Sequence, residues 1–431
     1  MTRRTDPPPC TPNRRAFLKT LAGLALAPSF VPGSVLGKDG AVSPSNRITL
    51  ATIGLGGRNT SNLSHFLLQK DVQCVAVCDC FADRRARGKE MVNQQYGNQD
   101  CTATRLHEEI MERKDIDAVL IGTGDRWHAV LSMIAARAGK DVYCEKPCCL
   151  TIGEGRALVE TTQRFGTIWQ CGTQRRSNPA YRFVAEGVRG GMVGQLRQIT
   201  LSFGGWGGNG VAVPEPAPNP EVFDYDRWLG QAPWAPYSPV RVGLWRNHWD
   251  TSAGPIVDMG PHYIDFAQWA HNSDFGGPVE FEGEATWPED GFANVPFAVN
   301  VRARYADGVE VVMNSGDKGV RFEGDEGWVR LSDEGVATAE PVSILRAKAP
   351  PRADWSLMGD HVRNFLDCVK SRRLTVSQPE IAQRAHTAAH CANISLRLGR
   401  KVHWDLATER FVGDEEANRF LSRTMRAPWN V

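Results

Sequence analysis

Two short stretches carry side chains able to move a proton and to stabilise charge on oxygen. The first is Asp141–Pro147, reading Asp-Val-Tyr-Cys-Glu-Lys-Pro. Here Glu145 and Lys146 stand at the carboxyl end of a short strand, and a proline without an N–H stops the ladder. The second is Gly254–Asp265, in which Asp258 precedes His262 by four residues. A helix beginning around Pro261 would put Asp258 at or just before its positive end, and an early start would let the pair share one side of the turn. Oxidising a secondary alcohol needs a hydride acceptor, a base for the hydroxyl proton, and a cation or donor for the alkoxide-like charge. His262 suits the base, since its unperturbed pKa of about 6.5 lies near neutral pH, and Asp258 would orient it and favour its charged form. Lys146 suits the cation, or shares the proton transfer if its own pKa is depressed. Which of the two takes the proton stays open.

A lysine at the carboxyl end of a strand is where an open α/β sheet places its chemistry. The upstream sequence supplies such a sheet. Arg47–Ile53 is a β-rich strand, followed by Gly54-Leu55-Gly56-Gly57-Arg58-Asn59 and a helical stretch, Thr60–Gln69. Glycines 54, 56 and 57 let the backbone approach a pyrophosphate, and the helix start beside Arg58 offers N–H groups. The third glycine of the usual fingerprint is replaced by Asn59. Val72–Cys78 reads as a second strand ending at Asp79, which is 23 residues beyond Gly56 and so placed to meet the adenosine ribose. Arg84 and Arg85 lie close enough to meet a 2′-phosphate, so NAD is the expected cofactor and NADP the alternative. A further buried strand, Ala118–Ile121, runs into Gly122-Thr123-Gly124-Asp125-Arg126-Trp127-His128 and then a helix, Val130–Ala138. Thr123, Arg126, Trp127 and His128 are thereby expected to border the nicotinamide.

The glycine turn, Asp79, Arg126-Trp127-His128 and Glu145-Lys146-Pro147 together resemble the Gfo/Idh/MocA oxidoreductases, a family that includes glucose–fructose oxidoreductase and inositol dehydrogenase. The resemblance runs from about residue 47 over nearly the whole chain. It implies an α/β architecture: an N-terminal Rossmann dinucleotide-binding domain, residues 47–150, then an α/β domain with a large, mostly antiparallel open sheet, residues 151–405, and a tail, 406–431. It implies that the Asp258-x-x-x-His262 turn faces Lys146 across the cleft and that these three residues are catalytic. Glu145 would bond the nicotinamide ribose. The broad sheet face would form a homo-oligomer, a dimer or tetramer.

Downstream, Ile152–Phe165 is helical and Ile168–Gly172 a strand. The following loop, Thr173–Pro179, should face the cleft, with Gln174 toward the cofactor and Arg175 toward the substrate. A helix over Tyr181–Arg189 and an alternating strand over Gln195–Phe203 come next. Residues 204–250 lack periodicity but are rich in Gly, Pro and Trp, which reads as a loop folded over the site. Its Trp245-Arg246-Asn247-His248-Trp249 segment suits a sugar: aromatic faces stack on rings, and Arg and Asn bond hydroxyls. Trp245, Arg246 and Trp249 are therefore expected substrate contacts, with Arg175 and His262. Antiparallel strands follow at Val279–Thr286, Phe297–Tyr305, Val309–Asn314 and Gly319–Phe322. Amphipathic helices over Asp354–Lys370 and Gln378–Leu398 should return to brace the first domain.

At 431 residues the chain is too long for one ordinary core, and 42% apolar with 23% charged residues fits a folded globular protein. A net charge of +1 provides no field to recruit nucleic acid or an anionic membrane. The 11 cysteines form no paired C-x-x-C set, so no metal is expected. Arg14-Arg15-Ala16-Phe17-Leu18-Lys19 precedes the apolar run Leu21–Ala27, which is far shorter than the ~20 residues of a membrane span. Residues 1–37 therefore read as a twin-arginine signal, which predicts a periplasmic protein exported folded with NAD already tightly bound. The expected function is hydride transfer between NAD(P) and a secondary alcohol of a sugar, glycoside or polyol. An NAD-dependent glycoside hydrolase, working by transient oxidation and elimination, is the first alternative. A non-catalytic exported sugar-binding protein is the second.

Overall fold

The computed structural model describes residues 42–346 and 360–429. The expected signal segment and the start of the helix expected at 354 lie outside them. Residues 42–47 hold one short turn, Pro44–Asn46, and from Ile48 the chain forms one compact unit.

Six parallel strands make the first sheet: β1 (Ile48–Ile53), β2 (Val72–Cys78), β3 (Thr102–Thr104), β4 (Ala118–Ile121), β5 (Asp141–Cys144) and β6 (Trp169–Cys171). Their order is β3-β2-β1-β4-β5-β6, so the chain reverses direction of growth between β1 and β4. That reversal opens a crevice at the carboxyl ends of these strands, the place where such sheets bind ligands. Both faces are covered, and so β4 is buried at every residue and reads as a continuous apolar run. The pleat sorts β5 between two cores, with Val142 and Cys144 on one face and Tyr143 on the other.

The first layer runs beyond the boundary expected at residue 150. The helix Ile152–Phe165 is the crossover that returns the chain to β6, and β6 pairs with β5. A second contribution comes from far along the chain. Helix His361–Ser371 lays Phe365 edge-on to Phe66 (6.0 Å) and Tyr143 (5.9 Å), and its Arg363 and Lys370 both bind Asp71.

The second sheet has nine strands: β7 (Leu196–Ser202), β8 (Glu280–Thr286), β9 (Ala298–Arg304), β10 (Glu310–Asn314), β11 (Gly319–Gly324), β12 (Gly327–Ser332), β13 (Ala337–Glu340), β14 (Val402–Asp405) and β15 (Arg410–Phe411). They run in the order β13-β12-β11-β7-β10-β9-β8-β14-β15, and every pair but β7 with β10 is antiparallel. Helices Gly260–Ala270 and Pro379–Leu398 cover one face. On β9, Val299, Val301 and Ala303 point into that core while Asn300, Arg302 and Arg304 are exposed. Residues 406–429 are more than a tail. Phe411 on β15 and Ala417 in the helix Glu415–Asn418 are both core residues.

One local difference reshapes the site. The helix expected from about Pro261 is preceded by another, Pro255–Asp258, and Met259 separates it from Gly260–Ala270. Asp258 therefore ends one helix, and His262 lies in the first turn of the next.

Candidate functional site

The glycine turn between β1 and the helix Gly57–Leu67 is shaped for close backbone approach. Gly54 has φ +84°, and a Cβ there would lie 2.7 Å from the Gly122 carbonyl oxygen. A Cβ on Gly56 or Gly57 would meet only open space, where the free N–H groups of the helix start point. Asp79 fixes the turn by accepting from Leu55 N (2.6 Å) and Phe81 N (2.9 Å). Asn59 stands where the fingerprint has a third glycine, whose purpose is tight helix–strand packing. Its amide donates to Thr52 Oγ1 (3.0 Å) and the Gly54 carbonyl (2.5 Å), and its side chain would lie 2.3 Å from a Cβ at Gly122. The missing glycine has been moved across the interface to the end of β4. Substituting Gly54 by alanine combines a left-handed backbone with a steric overlap. At least a tenfold loss of nucleotide affinity is expected, read by titrating nucleotide into the purified variant.

At the other end of the cavity, β5 delivers Glu145 and Lys146. The Glu145 carboxylate accepts from Asn62 Nδ2 (2.7 Å), Gln174 Nε2 (2.8 Å), Arg58 Nε (3.3 Å) and the Lys146 N–H (3.3 Å). Arg58 and Gln174 thus line the cavity but spend donors on an internal hub. Lys146 Nζ donates to the Asp258 carbonyl (2.9 Å) and to its carboxylate Oδ1 (3.1 Å). Arg246 Nε lies 3.5 Å from the same oxygen. Burial pushes the Asp258 carboxyl up, but the two cations outweigh it and hold it below the usual carboxylate range. Asp258 is therefore the partner of Lys146, and among the described residues its carboxylate makes no hydrogen bond to His262. The His262 imidazole is not charged either. Burial, then the cations of Arg175, Lys146 and Arg58, push its pKa well below 6.5, and its buried Nδ1 has no hydrogen-bond partner among the described residues.

Three buried neutral histidines brace the chain around Lys146. His128 Nδ1 lies 2.7 Å from the Pro147 carbonyl, so that nitrogen carries the proton; burial lowers the pKa to about 4. His386 Nδ1 donates to the Ala382 carbonyl (2.6 Å), leaving Nε2 to accept from Cys148 N (3.0 Å). His361 Nε2 donates to the Cys171 carbonyl (2.8 Å), and Nδ1 accepts from Ser177 Oγ (2.8 Å).

The long loop is organised against this frame. Arg126 donates from Nε to the Leu229 carbonyl (3.0 Å), and Trp127 Nε1 donates to the Arg227 carbonyl (3.0 Å), so both anchor the segment 225–230. Thr123 lines the cavity between them and the glycine turn. Asn247 ties the loop to itself through Gly207 and Gly208. Trp245 and Arg246 stack, guanidinium over ring at 4.2 Å, on the cavity wall. Trp249 is elsewhere: its ring is clamped between Arg397 and Arg423, each 3.5 Å away, and it does not border the cavity. Arg175 borders it but is held by the Tyr181 hydroxyl (3.0 Å) and by Asp333.

A cavity of about 780 Å³ collects every expected site residue except Trp249. It also collects two acids that the sequence did not single out. Asp333 arrives from the turn between β12 and β13, two strands with no foreseen pattern. Asp125 is buried and accepts from Ser252 Oγ (2.5 Å). The available signal for it was its place in the same loop as Trp127 and His128.

Comparison with known proteins matches this architecture. Residues 48–173 fit the family profile described as "Oxidoreductase family, NAD-binding Rossmann fold", and residues 192–431 fit "Oxidoreductase family, C-terminal alpha/beta domain". The chain belongs to the Gfo/Idh/MocA oxidoreductase family. Among relatives in that family, a "Myo-inositol 2-dehydrogenase" of Thermotoga maritima is 26% identical over 51% of this chain and 54% of its own length. A "Glycosyl hydrolase family 109 protein 1" of Shewanella sp. (strain MR-4) is 31% identical over 58% of this chain and 54% of its own. The chain thus spans about half the length of these curated relatives. The WlbA dehydrogenase of Bordetella pertussis, crystallised with NADH and UDP-GlcNAcA, shares the fold at TM-score 0.63 and 15% identity, covering 84% of this chain and 98% of that one. Aldose-aldose oxidoreductase from Caulobacter crescentus, complexed with glycerol, does so at TM-score 0.60 and 18% identity, covering 83% and 99%.

Proposed function

We propose that this Gfo/Idh/MocA protein is an NAD-dependent oxidoreductase acting on a secondary alcohol of a sugar, glycoside or polyol. The observation that carries the reading is Lys146 Nζ, fixed 3.1 Å from Asp258 Oδ1, in a cavity that also holds the glycine turn. Gly54, Gly56, Gly57, the first turn of the following helix and Asp79 would hold NAD, and the space left open at Gly56 and Gly57 fits its pyrophosphate. Bound NAD would supply the hydride acceptor. Lys146 would bind the reacting oxygen and stabilise its negative charge, with Asp258 keeping the ammonium aimed. His262, neutral and bordering the cavity, would take the hydroxyl proton. NAD is favoured over NADP because Arg85 spends its guanidinium on the Asp79, Cys80 and Glu221 carbonyls; Arg84, stacked over Phe81 at 4.1 Å on the cavity wall, keeps NADP as the alternative. Tight retention is supported by the loop, whose Phe223 stacks on Phe81 at 3.9 Å beside the adenosine end. Adding a panel of sugars and polyols to the nucleotide-loaded protein should raise the absorbance of reduced nicotinamide. No change with any of them would refute the reading, and a change would rule out a merely sugar-binding protein.

A pH profile tests the base. Only the neutral imidazole accepts a proton, so activity should fall as pH drops through the His262 pKa. Burial puts that acid limb of kcat/KM below pH 6.5. A limb at or above that value would exclude His262 as the base.

The relatives named as glycosyl hydrolase family 109 proteins favour a second reading, in which the same site cleaves glycosides with NAD retained. Phenol release from aryl glycosides without added nucleotide distinguishes it from net oxidation. We also propose export by the twin-arginine route to the periplasm, on the strength of Arg14-Arg15 and Leu21–Ala27. Fusing residues 1–37 to a reporter and comparing Arg14→Lys with Arg15→Lys tests this. A homo-oligomer through the outer face of the nine-stranded sheet, where Asn300, Arg302 and Arg304 stand, is checked by light scattering.

A further inference from the structure

We propose that Asp125 is a substrate-binding carboxylate that reads a second hydroxyl, one adjacent on the sugar to the hydroxyl held by Lys146. This rests on the dehydrogenase reading and names what the substrate must carry. The argument is one of unequal partners. Four buried acids border the cavity: Asp79 is engaged by the backbone of the glycine turn and Glu145 by its four donors, which leaves Asp258 and Asp125 to compare. Both nearby cations, Lys146 and Arg246, are directed at Asp258, at 3.1 Å and 3.5 Å. Asp125 receives one neutral donor, Ser252 Oγ at 2.5 Å, on Oδ2. A carboxylate has about four acceptor sites, and one left short of donors in a buried place is costly unless a ligand supplies them. Sugar hydroxyls are such donors.

The surroundings of Asp125 fit that ligand. Trp245 packs on the Asp125 turn, its ring 3.8 Å from where a Cβ on Gly124 would stand, and carries Arg246 stacked at 4.2 Å. An aromatic face, a guanidinium and a carboxylate thus meet on one wall. The guanidinium donates to a hydroxyl oxygen, and the carboxylate accepts that hydroxyl's proton in a hydrogen bond. The charge balance at Asp125 comes from several elements. Burial and the Asp258 carboxylate raise its pKa, and Arg246, the Ser252 hydroxyl and Lys146 lower it, leaving it at about 6. The Arg423 guanidinium, which donates to the Ser252 carbonyl at 3.4 Å, lies on the far side. Hydroxyl binding by the ionised form should therefore weaken as pH falls through that value.

The test uses the nucleotide-loaded protein, the sugar that it oxidises fastest, and monodeoxy analogues of that sugar. Asp125→Asn should retain nucleotide, raise KM by about 10- to 100-fold, and change kcat far less. KM for the wild type should rise below pH 6, and that rise should vanish in the variant. The analogue lacking the adjacent hydroxyl should lose affinity with wild type but lose little more with Asp125→Asn. Ser252→Ala, which removes only the partner, should raise KM severalfold and supplies a second reading if Asp125→Asn folds poorly. Wild-type activity with an unchanged KM in both variants would overturn the assignment of Asp125 and leave the dehydrogenase standing. No reduction by any sugar in the wild type would overturn both.

Discussion

Lys146→Ala protein is expected to bind nucleotide as the wild type does and to turn over substrate about 10³-fold more slowly, or worse. The two halves of this expectation have separate causes. On the proposed reading nucleotide binding rests on the glycine turn, the helix start and the Glu145 hub, whose donors are Asn62, Gln174, Arg58 and a backbone N–H. None of these uses Nζ. On the proposed reading the rate depends on Nζ directly, because among the described residues no other ammonium stands beside Asp258 and Arg246 is 47% exposed at its side chain. Lys146→Arg should not restore the rate, since a planar fork cannot reproduce one point charge that meets both a carbonyl and a carboxylate oxygen. Single-turnover reduction of bound nucleotide measures the chemical step apart from binding. A Lys146→Ala rate within tenfold of wild type would remove Lys146 from the chemistry.

Acid should destabilise the fold around that same lysine. His128, His361 and His386 are buried and neutral, each with its pKa lowered to about 4, and His390 is lowered to about 3. In the unfolded chain each returns to about 6.5. The unfolded state then binds more protons, so their contribution is complete above pH 6.5 and is lost as pH falls toward 4. Each is worth on the order of 3 kcal/mol across that window. Asp125 and Glu154, raised to about 6 and about 7, act in the opposite sense and offset part of it. Burial also raises Asp79, Asp141 and Asp265, but seven histidines in all are lowered against these five carboxyls, and a fall in melting temperature on the order of 10 °C is expected between pH 7 and pH 4.5. The loss is local before it is global. A proton on His386 Nε2 breaks its bond from Cys148 N, two residues beyond Lys146. Thermal melts over this range for wild type and His386→Gln check the idea. The variant should be less stable at neutral pH but flatter toward acid, and a parallel pair of curves would defeat it.

The legible parts of this protein were those set by local chemistry. A strand, a glycine turn and an acid 23 residues on announce a nucleotide crevice, and the parallel sheet bears out the fold. Lys146 and Asp258 could be picked by type, and they meet at 3.1 Å. The family resemblance put the Asp258–His262 turn opposite Lys146, but it did not show that, among the described residues, Asp258 alone takes the ammonium, through both its carbonyl and its carboxylate. Trp249 looked like Trp245, yet its fate was set by Arg397 and Arg423, remote residues that claim both faces of its ring. Asp333 was missed for the same reason in reverse: nothing near it in sequence marks where the tertiary fold carries it, whereas Asp125 stood beside Trp127 and His128 in a loop already expected at the cofactor.

Phe365 has a consequence for how the chain is made. It fills the core beside Phe66 and Tyr143, although some 200 residues separate it from the last strand of that layer. A ribosome emits the N-terminal end first, so the nucleotide-binding sheet emerges with one face still bare. Its completion must wait for the stretch that contains 361–371, long after all six of its strands are available. A fragment ending near residue 173 would therefore expose aromatic surface and clump. Cutting the chain between its two sheets should not yield two soluble halves, even though each half has its own family profile.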